Sequence, residues 1–186
     1  PEKRSFKTGW ISEKPDNITP NGVIAIGAST GGTEAIYRIL QVLPRQIPGI
    51  VIVQHMPPVF TRLYAERLNA SCVLEGREAK NRDKVQPGRV LIAPGDFHMR
   101  LKKAGKEYYV ECFKGEKVNG HCPSVDILFD SVALTAGKEA IGIILTGMGQ
   151  DGVKGLLAMR RQGARTIGQD EVSNVVSGMP TVAYEV

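Results

Sequence analysis

The chain has 186 residues, 42% of them hydrophobic and 23% charged, which fits one soluble globular domain and excludes a disordered, collagen-like or coiled-coil chain. No apolar run approaches the about 18 residues of a membrane span, no signal peptide is visible, and three cysteines (Cys72, Cys112, Cys122) lack C-x-x-C spacing. A cytoplasmic protein is therefore expected, with no membrane insertion, no metal and no cofactor. The net charge of +5 comes from Lys and Arg scattered in small groups without interleaved aromatics, which reads as a solvated basic face rather than a nucleic-acid site, with an acidic protein surface as the partner it suits.

Residues 1–20 are polar, carry Pro1, Pro15 and Pro20, and show no period, so they read as the remnant of an interdomain linker, although Trp10 could pack locally. From residue 21 onward short apolar runs alternate with amphipathic stretches, the pattern of an α/β domain with a doubly wound, mostly parallel sheet flanked by helices. Strands are predicted at Val23 to Ile26, Ile50 to Val53, Arg89 to Ala93, Ala140 to Leu145 and Ala164 to Ile167. Helices are predicted around Ile36, Ile39, Leu40 and Leu43 until Pro44, around Phe60 to Leu68, around Val125 to Val132, and from near Asp151 to Gly163. Phe97 to Leu101 and Glu107 to Phe113 flank a turn-forming Lys103-Ala104-Gly105-Lys106, so one antiparallel hairpin is predicted to interrupt the parallel pattern.

The first strand runs into Gly27-Ala28-Ser29-Thr30-Gly31-Gly32 and then into a helix, which fits G-x-S-x-G with serine at the apex of a strand, turn and helix. Small neighbours let the backbone turn sharply and expose the hydroxyl, while the helix N-terminus offers N–H groups to an oxyanion. The alternative is a nucleotide- or phosphate-binding module using the Gly27 to Gly32 loop, which lacks a full G-x-G-x-x-G and a Walker lysine. A serine nucleophile needs a base and the base needs an orienting acid. His55 follows the second predicted strand and Asp151 follows the Ala140 to Leu145 run through a Gly-rich loop, so Ser29, His55 and Asp151 all fall beyond carboxyl ends of parallel strands, where open α/β sheets form their crevices.

His98 competes for the role of base but is assigned to the hairpin. In His121-Cys122-Pro123-Ser124 the residues are read as structural, with Pro123 and its neighbours capping a helix rather than activating a thiol. Asp126, Asp130 and Asp170 are alternative orienting acids, read as exposed charges.

Six segments in register carry a resemblance: Gly27 to Gly32, Gln54-His55-Met56, Ala93-Pro94-Gly95, Pro123 to Asp126, Leu145 to Gly152 and Gly178-Met179-Pro180. Together they resemble the catalytic domain of CheB-type chemotaxis protein-glutamate methylesterases over Val23 to Pro180. The resemblance implies hydrolysis of glutamyl γ-methyl esters on cytoplasmic helices of methyl-accepting chemoreceptors, with methanol released, and deamidation of particular receptor glutamines. It carries a catalytic triad onto Ser29, His55 and Asp151, and an oxyanion or accessory role onto Thr30 and Met148, with 21–186 as the catalytic domain. It also implies a receiver domain in the parent protein, itself a target of the chemotaxis histidine kinase. This sequence departs from the family pattern with Gln150 in place of Asn and Cys122 in place of Arg, and the domain is expected to continue beyond Val186.

Overall fold

A computed structural model describes residues 21–186; the linker reading of 1–20 and the packing of Trp10 lie outside the described residues. Strands β1 (Val23–Ala28) and β2 (Gly49–Gln54) are buried along their whole length. They lie at the centre of a sheet covered on both faces, so neither has a solvated side. With β3 (Glu75–Glu78), β5 (Arg89–Ile92), β8 (Ala140–Ile144) and β9 (Arg165–Gly168) they form one sheet in the order β3-β5-β2-β1-β8-β9. All its pairings are parallel. The chain winds outward from β1 through β2, then returns across β1 to β8, so the winding reverses beside β1 and opens a crevice at the carboxyl edge.

Successive strand residues face opposite layers. Ile24, Ile26, Ile50 and Ile52 pack against Ile36 and Leu40 of α1 (Gly32–Leu40) and Tyr64 and Leu68 of α2 (Phe60–Ser71). Val23, Ala25, Val51 and Val53 pack against Leu128, Phe129 and Val132 of α3 (Val125–Ala136) and Leu156 and Met159 of α4 (Val153–Arg161). Phe129 is fully buried where α3 crosses β1 and α4, beside the bare Cα positions of Gly27 and Gly155. Truncation by Phe129→Ala is expected to cost about 3–5 kcal/mol through the cavity it leaves, read as a lower urea midpoint. A loss below about 1 kcal/mol would show that this layer is not close-packed.

The structure extends the expected antiparallel hairpin into a three-stranded sheet. β6 (His98–Ala104) and β7 (Glu107–Phe113) pair as anticipated, and β4 (Lys84–Val85) adds to β7. β3 and β4 have no apolar alternation to announce them: β3 reads Glu-Gly-Arg-Glu, and β4 has two residues. β3 is an edge strand, where charged side chains discourage further pairing. A short α5 (Gly178–Tyr184) follows Asp170 only after several residues of loop and holds Pro180 in its first turn, where its missing N–H leaves no helical bond broken. No described helix is long and apolar enough to cross a membrane.

Candidate active site

Ser29 follows the last residue of β1 and His55 the last residue of β2, strands paired in register from Val23 with Gly49 to Ala28 with Gln54. Their backbones are tied together: the His55 N–H donates to the Ala28 carbonyl (3.1 Å), and the buried Gln54 amide donates to the Ser29 carbonyl (2.8 Å) and to that of His55 (3.4 Å). The Gly-rich turn is tight because its glycines face other atoms. A Cβ on Gly27 would enter the Val125 side chain, one on Gly32 would enter the Gln54 amide, and Gly31 holds φ +81°. These contacts fill the space beside the glycines, unlike an open phosphate cradle.

The loop after β8 closes on the same turn. The Ser29 N–H donates to the Thr146 carbonyl (3.0 Å), and a Cβ on Gly147 would stand 2.7 Å from Ser29 Cβ. The Thr146 hydroxyl, fully buried, lies 3.0 Å from the Thr30 carbonyl and accepts the N–H groups of Val175 (3.1 Å) and Val176 (2.9 Å), so it ties three loops together. Thr30 and Met148 are both exposed on the loops that this residue joins. Among the described residues, their backbone N–H groups donate to no carbonyl.

His55 Nε2 and Asp151 Oδ2 are 2.7 Å apart, with only 7% and 1% of the two side chains exposed. Asp151 accepts four further hydrogen bonds: from the Val125 N–H (2.8 Å) to Oδ2, and from Ser124 Oγ (2.7 Å), Asn119 Nδ2 (2.9 Å) and the Asp126 N–H (3.2 Å) to Oδ1. Two of these donors are the first N–H groups of α3, so a carboxylate from a distant loop caps that helix and sits at its positive end. Burial alone would raise the carboxyl pKa, but the bonds from His55, Asn119, Val125 and Ser124 outweigh it and hold the group well below the usual carboxylate range. An ionised carboxylate can only accept, so His55 carries its proton on Nε2. Its Nδ1 is buried and has no hydrogen-bond partner among the described residues. Ser29 Oγ makes no hydrogen bond to the described residues, so the structure brings histidine and aspartate into contact and leaves the hydroxyl unengaged.

The competing residues separate clearly. His98 begins β6, accepts the Ser124 N–H at Nδ1 (3.2 Å) and bonds the Glu116 carbonyl through Nε2 (2.7 Å), which uses both ring nitrogens structurally. Asp130 and Asp170 are exposed as expected. Asp126, expected to be an exposed charge, is instead buried: it accepts the Gly155 N–H (2.7 Å) from α4 and an Asn119 N–H (2.7 Å). Helix packing brought α4 over that carboxylate, which the helical position of Asp126 alone did not reveal. Ser124 does stand at the N-cap of α3, but it makes no side-chain capping bond and donates to Asp151 instead. His121, read as structural, lies face to face with His55, the ring centroids 3.6 Å apart and the planes within 7°.

Gln54, Asn119 and His121 are the site residues that sequence reasoning missed in these roles. For the last two a signal existed. Asn119-Gly120 is a strong two-residue turn signal, and it forms one, with φ 52° and 80° between bridge partners Val118 and His121.

A family model described as CheB methylesterase matches residues 24–186. The protein-glutamate methylesterase/protein-glutamine glutaminase 2 of Syntrophomonas wolfei is 68% identical over 163 residues, covering 88% of this chain and 48% of that protein. The protein-glutamate methylesterase/protein-glutamine glutaminase of Sulfurimonas denitrificans is 50% identical over 190 residues, covering 100% of this chain and 54% of its own length. The chain thus spans about half the length of the curated relatives it matches. The crystal structure of the Thermotoga maritima CheB methylesterase catalytic domain superposes with TM-score 0.85 at 41% identity, covering 88% of this chain and 87% of that one.

Proposed function

Because the chain belongs to the CheB methylesterase family, we propose that it hydrolyses glutamyl γ-methyl esters of methyl-accepting chemoreceptors, with Ser29 as nucleophile, His55 as base and Asp151 as orienting acid. The observation that carries this reading is the state of His55. Its Nε2 is committed to an ionised, fully hydrogen-bonded Asp151, while Nδ1 is buried without a partner among the described residues, on the residue that follows β2 as Ser29 follows the paired β1. A base needs one such unprotonated nitrogen and a fixed tautomer.

In the proposed reaction Ser29 Oγ attacks the ester carbonyl as its proton passes to His55 Nδ1, and Asp151 stabilises the resulting imidazolium. The unpaired N–H groups of Thr30 and Met148 are suited to hold the oxyanion. Collapse expels methanol, which takes the proton from His55. A water molecule then loses a proton to Nδ1 as it attacks the acyl-enzyme, and its breakdown returns that proton to Ser29. The same cycle on a receptor glutamine releases ammonia. The substrates are chemoreceptor cytoplasmic helices, approached by a basic protein whose surplus charge steers it to acidic surfaces. The setting is cytoplasmic bacterial chemotaxis adaptation, with residues 1–20 a linker from a receiver domain that the chemotaxis histidine kinase phosphorylates, and 21–186 the catalytic domain.

The test is methanol release from a peptide bearing a glutamyl γ-methyl ester, run beside labelling of the intact chain with a fluorophosphonate. Stoichiometric labelling mapped to Ser29, lost when substrate is in excess, is expected. Methanol release without labelling at Ser29, or tight nucleotide binding with neither, would overturn the reading.

A further inference from the structure

We propose that His121 is a positioning residue that holds the His55 ring by stacking and makes ester hydrolysis depend on the protonation of two histidines rather than one. The inference rests on the reading of His55 as base. Its observation is the parallel pair of imidazoles, centroids 3.6 Å apart and planes within 7°, built by the turn between bridge partners Val118 and His121. The Val118 to His121 turn delivers two side chains to the same pair of groups. Asn119 bonds the Asp151 carboxylate, and His121 covers one face of the ring that Asp151 holds at its edge. His55 is thus fixed in two directions, along Nε2 by a hydrogen bond and across its plane by a stacked ring.

The stack responds to charge. A neutral imidazole presents a π face to the imidazolium that forms when His55 takes the Ser29 proton, an arrangement of cation–π type. A protonated His121 would repel that imidazolium across 3.6 Å. The charged groups around the pair come from each packed segment: Asp151 after β8, Asp126 on α3 linked to Asp151 through Asn119, Lys117 before the turn, and Asp96 after β5 beside Cys122. Burial, His55 and Lys117 lower the proton affinity of His121, with Asp151 opposing them. His121 is therefore neutral at neutral pH and gains its proton only in acid. A His121 that takes up a proton in acid therefore opposes the charge that His55 must gain in the reaction, so activity falls more steeply in acid than it does without a titrating ring at position 121.

The experiment compares the chain with its His121→Phe and His121→Ala variants, using methanol release from the methyl-ester peptide across pH and proton NMR titration of the histidine rings. Phenylalanine keeps a flat ring without a titrating nitrogen. His121→Phe is expected to keep kcat within about threefold at high pH while the acid limb of log kcat against pH drops from a slope approaching two to a slope of one. His121→Ala is expected to lower kcat about tenfold with KM unchanged, because the base loses its fixed plane. An acid limb in His121→Phe that superimposes on that of the parent would overturn the proposal. That outcome differs from failure of the esterase reading, in which the parent releases no methanol while the ring titration remains measurable.

Discussion

Ser29→Ala is expected to reduce methanol release from a glutamyl methyl-ester peptide by at least about 10⁴-fold while leaving the thermal unfolding midpoint within about 2 °C of the parent. The two halves of that expectation have separate structural grounds. The hydroxyl makes no hydrogen bond to the described residues, so its removal strands no buried partner. The contacts that fix the turn belong to the Ser29 backbone, through Thr146, Gln54 and Gly32, and alanine retains them together with the Cβ beside Gly147. Only the attacking oxygen is lost. Turnover within about tenfold of the parent would remove Ser29 from the chemistry, whereas a large drop in unfolding temperature would show that the hydroxyl has a structural partner.

Asp151→Asn is expected to damage both activity and fold. Five donors converge on the two carboxylate oxygens, two of them the leading N–H groups of α3. An amide keeps one acceptor oxygen and turns an NH₂ group toward donors, leaving buried N–H or O–H groups without acceptors at a cost of about 3 kcal/mol. If the NH₂ faces His55 it also favours the tautomer protonated on Nδ1, the wrong one for a base, and kcat should fall on the order of 10⁴-fold. The pH dependence of stability carries a second signature. The Asp151 carboxyl is held below its unfolded value, so its stabilisation is complete above the unfolded pKa of about 4 and is lost as pH falls from there through the folded value. Urea unfolding should therefore show a steep loss of stability below about pH 4 in the parent and a shallower one in Asp151→Asn. Parallel curves would mean that Asp151 contributes nothing to acid sensitivity.

The central strands were legible because burial on both faces demands continuous apolar runs such as Val23 to Ile26 and Ile50 to Val53. Helices α1 to α4 were legible for the related reason that each must present an apolar stripe. β3 and β4 were not. An edge strand of Glu-Gly-Arg-Glu is stabilised by backbone pairing with β5, and backbone pairing leaves no pattern in side chains. Gly76 belongs there because α2 passes so close that a Cβ would stand 3.0 Å from the Ala65 carbonyl oxygen, a contact between segments the sequence does not relate.

The site divides in the same way. That Ser29, His55 and Asp151 fall at one edge of the sheet follows from strand polarity, because parallel strands deliver every residue after their carboxyl ends to the same side, but that they are neighbours there was decided by the strand order β2-β1-β8. What surrounds them was decided by the tertiary structure. The burial of Asp126 under α4, the capping of α3 by a carboxylate from the β8 loop, the bridging amide of Asn119 and the stacking of His121 on His55 all join segments far apart along the chain. Periodicity reports which face of an element is apolar. It cannot report which polar group from another element meets that face, and here those meetings set the charge of Asp151 and the tautomer of His55.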